Sequence, residues 1–132
     1  MAQAKAAKQV IFFMPNKVGL MAEVCSALSA AKINVTAMCG YEMEDRAIFM
    51  LMADDLTKAK KLLKKLGAEI KDEAVVVVEM PNKAGELSKA SSAIAAAGVN
   101  IHYFYGTTGT GKTSACIFKT ADNKKVIKVL NK

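Results

Sequence analysis

"MPNKVG", from Met14 to Gly19, recurs 66 residues later as "MPNKAG", from Met80 to Gly85. The similarity continues at the same spacing as far as Gly40 in the first copy and Gly106 in the second. Self-similarity over such a stretch indicates duplication of one structural unit. The 132-residue chain is therefore predicted to contain two copies of the same fold.

Each copy has the pattern of a strand, a helix and two further strands. The apolar runs "QVIFFM" and "AVVVVEM" stop at Pro-Asn, which is typical of a strand that ends in a turn. Apolar residues then recur at helical spacing, as in Leu20, Val24 and Leu28. Alternating runs follow, "INVTAMC" and "RAIFMLM" in the first copy and "VNIHYFY" and "TSACIFK" in the second.

A second helix completes each copy. In the first copy Asp54 or Asp55 can cap it, Gly67 ends it, and "AEIKDE" can supply a closing strand. The predicted order is β-α-β-β-α-β, an α+β fold of two tandem ferredoxin-like units spanning residues 9–73 and 74–132. Each unit is expected to have an antiparallel sheet with both helices on one face.

The second unit has no sequence left for a fourth strand. Only Asn131 and Lys132 follow its last predicted helix, Asp122–Leu130, so that strand is missing or is supplied from elsewhere. A missing strand leaves a sheet edge open, and the apolar runs "VVVV" and "IFMLM" could extend a sheet between chains. We therefore expect a homodimer.

"GTTGTGKT", from Gly106 to Thr113, fits the pattern of a phosphate-binding loop. That loop works only between a strand and a helix, and "SACIFKT" after Thr113 has the alternation of a strand. The segment corresponds to the first copy's loop "GYEMED" with two residues added. A hairpin turn between the second and third strands is the better interpretation.

Composition and charge exclude several classes of protein. The net charge of +7 is spread over both halves, and the one dense segment, Lys58–Lys65, has lysines between leucines at helical spacing. A solvated helix face explains it, so the charge does not indicate nucleic acid as a partner. No apolar run could cross a membrane, and we expect a cytoplasmic protein with three reduced cysteines, Cys25, Cys39 and Cys116.

The sequence offers little for catalysis. His102 is the single histidine. A packed or surface position is a simpler interpretation of it than a role in a ligand site. No Ser-His-Asp, Cys-His or paired-carboxylate set can be assembled from the remaining residues. The chain is therefore predicted not to be an enzyme and to use no cofactor and no metal.

The sequence resembles the ACT domain in three features. These are the element order, "PNKxG" between the first strand and the first helix, and "AGVNI" at the start of the second strand. The resemblance covers residues 9–132 as a tandem pair and is closest in kind to stand-alone tandem ACT proteins, some of which carry an acetolactate-synthase-like label. It implies amino-acid binding and regulation of an enzyme of amino-acid metabolism. The family usually has proline before the loop glycine, where this chain has Val18 and Ala84.

The loop that opens each first helix is the predicted ligand site. Unpaired backbone N–H groups there suit a carboxylate, and asparagine carbonyls suit an ammonium. In ACT pairs the ligand usually lies between two units, which implies that a loop of one copy faces a second strand of another copy or of another subunit. The predicted ligand-binding residues are Asn16, Lys17, Val18, Gly19, Leu20, Asn34, Val35, Asn82, Lys83, Ala84, Gly85, Glu86, Leu87, Asn100 and Ile101.

Two alternatives stay open. The asparagines could serve only as turn residues at strand boundaries. The chain could also be a basic ferredoxin-like module that binds nucleic acid or a partner protein, since Tyr103, Phe104 and Tyr105 resemble a base-stacking surface. The first copy has Ala37, Met38 and Cys39 at those places, which weakens that interpretation.

Overall fold

The computed structural model describes residues 2–108 and 111–132. Two rounds of strand, helix, strand, strand and helix follow one another, which confirms the predicted α+β fold of two ferredoxin-like units. In chain order the elements are β1 (Gln3–Pro15), α1 (Leu20–Ala30), β2 (Val35–Met43), β3 (Arg46–Ala53), α2 (Leu56–Lys65), β4 (Glu69–Pro81), α3 (Glu86–Ala96), β5 (Ile101–Thr108), β6 (Thr113–Thr120) and α4 (Asn123–Leu130).

The chain divides into two compact units. The first unit is Lys8–Glu73, and the second unit consists of residues 2–7 together with Ala74–Lys132. Each unit therefore takes part of β1 and part of β4. The second unit, for which the sequence offered no fourth strand, contains residues 3–7 of β1 next to β4.

Antiparallel pairing in the first unit places β3 between β1 and β2. Pro15 is opposite Arg46 on β3, and Met43 of β2 is opposite the same residue. The loop after β1 therefore begins beside the β2–β3 turn. The pairing of β2 shifts between Val35 and Ala37, so Thr36 lies at an irregularity of the strand.

The second unit repeats this register with β6 between β4 and β5. Pro81 is opposite Thr113, and the shift in pairing falls between Ile101 and Tyr103. Because Thr113 begins β6, no helix follows "GTTGTGKT", and the phosphate-loop interpretation lacks its required context. Gly109 and Thr110, within the predicted turn, lie outside the described residues.

Each unit has its own hydrophobic core. In the first unit alternate residues of β1 and β3 pack with both helices, as expected when the helices share one face of the sheet. That core consists of Val10, Phe12, Met14, Leu20, Val24, Leu28, Ile33, Ala47, Phe49, Leu51, Ala59 and Leu63. The second core consists of Ala4, Val76, Val78, Met80, Ala90, Ile94, Cys116, Phe118, Val126 and Leu130.

The helix caps follow the sequence. Asp55 accepts from the backbone N–H of Lys58 at 3.0 Å, and Asp122 accepts from that of Lys125 at 3.1 Å. Carboxylates at these positions satisfy N–H groups that have no partner inside the helix. None of the helices in the described part of the chain has the length and apolar character needed to cross a membrane.

Candidate functional site

The Pro-Asn loop of the first unit is fastened to that unit's own β2–β3 hairpin. The backbone N–H of Asn16 donates to the Asp45 carbonyl at 2.8 Å. Its side-chain Nδ2 donates to Glu42 Oε2, also at 2.8 Å. These bonds fix the direction in which the loop leaves β1.

The equivalent loop of the second unit has the same attachment. The Asn82 backbone N–H donates to the Lys112 carbonyl at 2.8 Å, and its Nδ2 donates to the Gly111 carbonyl at 3.1 Å. Both asparagines thus have the structural role that the turn interpretation assigns to them.

A glycine in the left-handed region precedes each first helix. Gly19 has a φ of 85° and Gly85 a φ of 91°, angles that side-chain-bearing residues adopt at a cost. Among the described residues no side chain caps the N-terminus of either helix. The first turns of α1 and α3 therefore present backbone N–H groups and the positive end of the helix dipole.

An open cavity of about 470 Å³, the first loop cavity, lies beside the start of α1. The loop, the first turn of α1 and the facing strands β2 and β3 enclose it. Most of its side chains are apolar. Its lining residues are Asn16, Lys17, Gly19, Leu20, Met21, Ala22, Met38, Gly40, Tyr41, Ala47 and Phe49.

The second loop cavity, of about 290 Å³, occupies the same place beside α3. Asn82 and Lys83 correspond to Asn16 and Lys17 in the sequence repeat, and Gly106 corresponds to Gly40. Its lining residues are Met80, Pro81, Asn82, Lys83, Glu86, Leu87, Gly106, Ser114, Ala115 and Cys116. Duplication has thus produced a cavity at the predicted loop in both units.

The two cavities differ in charge at the first residue of the helix. Leu20 is 2% exposed and belongs to the core of the first unit. Its counterpart in the second unit is Glu86, whose side chain is only 14% exposed and pairs with Lys89 at 3.1 Å. A carboxylate in place of a core leucine makes the second loop cavity negatively charged on one wall.

The loop lysines differ as well. Lys17 Nζ lies 3.0 Å from Glu23 Oε2, so its charge is balanced within the first unit. The residue equivalent to Glu23 in the second unit is Lys89, which cannot pair with Lys83. Among the ion pairs of the described residues, Lys83 takes part in none.

The predicted residues at the second strands lie at the opposite end of each unit. The Asn34 backbone N–H donates to Asp54 Oδ1 at 3.0 Å, and the Asn100 carbonyl accepts from the Ala121 N–H at 2.9 Å. Eight residues of β3 separate Asn34 from Asn16, which at strand spacing is roughly 26 Å. Within one unit, Asn34 and Asn16 do not meet.

A separate open cavity of about 350 Å³ lies at this other end of the first unit, and Asn34 and Val35 line part of it. Of the remaining predicted residues, Val18 and Ala84 are exposed and lie outside the lining of the loop cavities. Asn100 is exposed and Ile101 is half-buried at the start of β5. Their proposed part in binding stays a prediction.

Sequence reasoning missed the strand side of both cavities. Gly40 and Gly106 lie on that side. Glycine occupies the same position in both copies of the repeat, and this agreement is the signal that could have identified the strand side. A Cβ at Gly40 would lie 3.1 Å from a ring carbon of Phe49, and one at Gly106 would lie 3.4 Å from the Ala115 carbonyl oxygen. A side chain at Gly40 would therefore crowd the Phe49 ring, whereas the contact at Gly106 is close to an ordinary van der Waals distance.

Cys116 lines the second loop cavity and is 4% exposed. Burial raises the pKa of its thiol from 9.0 to about 11, and a backbone hydrogen bond with Ile117 opposes that shift. The thiol therefore stays protonated at neutral pH. It contributes an apolar wall to the cavity and is a poor nucleophile.

The other sequence candidates lie elsewhere on the surface. His102 is exposed on β5, and no cluster of His, Cys, Asp and Glu suited to a metal occurs among the described residues. Lys58 Nζ donates to the Ala31 carbonyl at 2.7 Å, and Lys60 pairs with Asp72 at 3.0 Å. Part of the dense lysine segment thus holds α2 against its own unit.

Comparison with known proteins identifies the fold and the family. The family model for an ACT domain pair matches residues 5–132. Protein BT0572 from Bacteroides thetaiotaomicron is 32% identical and superposes with a TM-score of 0.88, over 97% of this chain and 88% of that chain. No curated protein sequence matches the chain.

More distant structures share the fold. The ligand-free regulatory subunit of aspartate kinase from Thermus thermophilus is 16% identical with a TM-score of 0.72, covering 96% of this chain and 95% of that one. E. coli aspartokinase III in complex with lysine and aspartate is also 16% identical, with a TM-score of 0.56, covering 97% and 31%. The duplicated fold, the loop glycines and the family match establish that the chain belongs to the family of ACT domain pairs.

Proposed function

We propose that this chain is a non-catalytic regulatory module that binds an amino acid at its two loop cavities. One observation carries the proposal: the duplicated loop forms a cavity beside an uncapped helix N-terminus in both units. Each cavity combines apolar walls with a few polar groups, which is the usual composition of a small-molecule site.

The chemistry of a free amino acid matches this arrangement. Its carboxylate suits the N–H groups and positive dipole at the start of α1 or α3. Its side chain would pack on the apolar walls, such as Met21, Met38 and Phe49 in the first loop cavity. The proposed binding segments are therefore Asn16–Leu20 and Asn82–Leu87, as the sequence predicted.

The relatives support a regulatory role. The Thermus thermophilus relative is a regulatory subunit of aspartate kinase, and the E. coli enzyme was solved with lysine and aspartate. We propose that this chain transmits amino-acid binding to a partner enzyme, in the cytoplasm as the sequence predicts. No catalytic activity of its own is part of the proposal.

We further propose that the protein is a homodimer. Residues 3–7 lie beside β4, so the argument from a missing strand no longer supports pairing. Support comes instead from large apolar side chains that are exposed to solvent. Tyr41 and Met43 on β2 are 45% and 55% exposed, and Phe104 on β5 is 57% exposed. Light scattering should give twice 14.1 kDa, and the monomer mass at every concentration would refute the dimer.

A thermal-shift panel of the twenty amino acids, with ATP and a generic RNA as controls, tests the binding function. A ligand present at 100 times its Kd stabilises the folded state by about 2.7 kcal/mol, which is several degrees in Tm. We expect at least one amino acid to raise Tm and to do so equally at about 50 and 200 mM salt. A rise with RNA alone, lost at high salt, would instead support a nucleic-acid module.

A further inference from the structure

The second loop cavity contains a charge arrangement that the first one lacks. Glu86 and Lys83 both line it, and they carry the charges opposite to the ammonium and the carboxylate of an amino acid. In the first loop cavity the corresponding residues are Leu20, which is buried in the core, and Lys17, which is paired with Glu23. The two cavities therefore cannot recognise a zwitterion in the same way.

The environment of Glu86 favours a cationic ligand. Its side chain is only 14% exposed, and the cavity that it lines is also lined by the apolar or uncharged side chains of Met80 and Cys116. A carboxylate in such surroundings is costly unless it is paired. Its one described ion partner is Lys89, whose side chain is 76% exposed and so contributes a weak, solvent-screened pair.

We propose that Glu86 is the ammonium-binding residue of the second loop cavity and that this cavity, with Lys83 as the carboxylate partner, selects small molecules bearing both charges. The inference rests on the proposed function and narrows it to one of the two sites. The volume of about 290 Å³ favours a small amino acid. The first loop cavity has leucine at the equivalent position, so it distinguishes between ligands by apolar contact with their side chains.

Calorimetry on the full chain tests this assignment. The probes are the twenty amino acids and their N-acetyl derivatives, which lack the ammonium. We expect an amino acid to bind while its N-acetyl derivative does not, and the nearly isosteric Glu86→Gln to weaken binding at least tenfold. Glu86→Leu, which restores the residue of the first unit, should behave like Glu86→Gln.

Lys89→Gln is the matched control. It removes the exposed partner of the same ion pair, so a general loss of stability from breaking that pair would appear in both variants. We expect Lys89→Gln to bind as tightly as the wild type or more tightly, because Glu86 then has no competing cation. Thermal unfolding of each variant verifies that it is folded.

The outcomes separate this inference from the function on which it rests. Amino-acid binding that is unchanged in Glu86→Gln and Glu86→Leu would overturn the role of Glu86 and leave the proposed function intact. Equal binding of an amino acid and its N-acetyl derivative would overturn it as well. If none of the twenty amino acids binds the wild type, both the inference and the proposed function are wrong.

Discussion

Asn131, the residue after α4, holds the backbone of Ala4 with two hydrogen bonds. The Ala4 N–H donates to Asn131 Oδ1 at 2.6 Å, and Asn131 Nδ2 donates to the Ala4 carbonyl at 2.8 Å. The two residues are 127 positions apart in the chain. A side-chain amide bound to both polar groups of one residue fixes the strand formed by residues 3–7 within the second unit.

We predict that Asn131→Ala destabilises the second unit by about 1–3 kcal/mol, because both hydrogen bonds of Ala4 are lost. Urea unfolding measures the loss, and hydrogen exchange should accelerate at residues 3–7. Asn131→Asp is the comparison: it keeps an acceptor for the Ala4 N–H but places a carboxylate oxygen against the Ala4 carbonyl, so it should not restore the stability of the wild type. Unchanged exchange at residues 3–7 in both variants would show that the strand does not depend on Asn131.

Gly40 is predicted to be intolerant of a side chain. Its Cβ would lie 3.1 Å from the Phe49 ring, so Gly40→Ala should displace that ring and destabilise the first unit by about 1–3 kcal/mol. Gly106→Ala meets its nearest neighbour, the Ala115 carbonyl oxygen, at 3.4 Å and should cost less. Thermal unfolding compares the two, and an equal or larger loss for Gly106→Ala would contradict the packing described here.

The thiols are predicted to react in an order set by burial. At pH 8 iodoacetamide should modify the half-buried Cys25 and Cys39 well before Cys116, whose pKa of about 11 leaves little thiolate. Mass spectrometry of the digested protein measures the three rates. Modification of Cys116 as fast as Cys39 would show that the second loop cavity is more open to solvent than its geometry indicates.

The same pKa predicts how stability depends on pH. The folded state keeps the Cys116 proton up to about pH 11, whereas the unfolded thiol releases it near 9.0. This contribution to stability is therefore complete below pH 9 and is lost as pH rises from 9 to 11. Cys116→Ala should lose less stability over that interval, and an identical pH profile for both proteins would contradict the assignment.

The sequence predicts the elements well where local patterns determine them. The repeat of "PNKxG", the helical spacing after Leu20 and the alternation of the strands each depend on neighbours in the chain. Residues 3–8 do not show such a pattern, because alanine and lysine have low strand propensity. Their strand depends on β4 and on Asn131, contacts that only the folded chain supplies.

The candidate site likewise has one part that local sequence predicts and another that depends on the folded chain. The loops at Gly19 and Gly85 were predictable because a repeated Pro-Asn turn before a helix is a local signal. The facing glycines, Gly40 and Gly106, enter the site through strand register, which a single sequence does not specify. The burial of Glu86 was equally hidden, since its sequence position is only that of the first residue of a helix.

The most direct test of the central claim is a ¹H–¹⁵N spectrum of the full chain titrated with each amino acid that raises its Tm. We predict that the largest shift changes fall on the amides of residues that line the loop cavities, those of Gly19, Met21 and Gly40 or those of Glu86, Leu87 and Gly106. Saturation by an amino acid without change at either set of amides would contradict the claim that the loop cavities bind it.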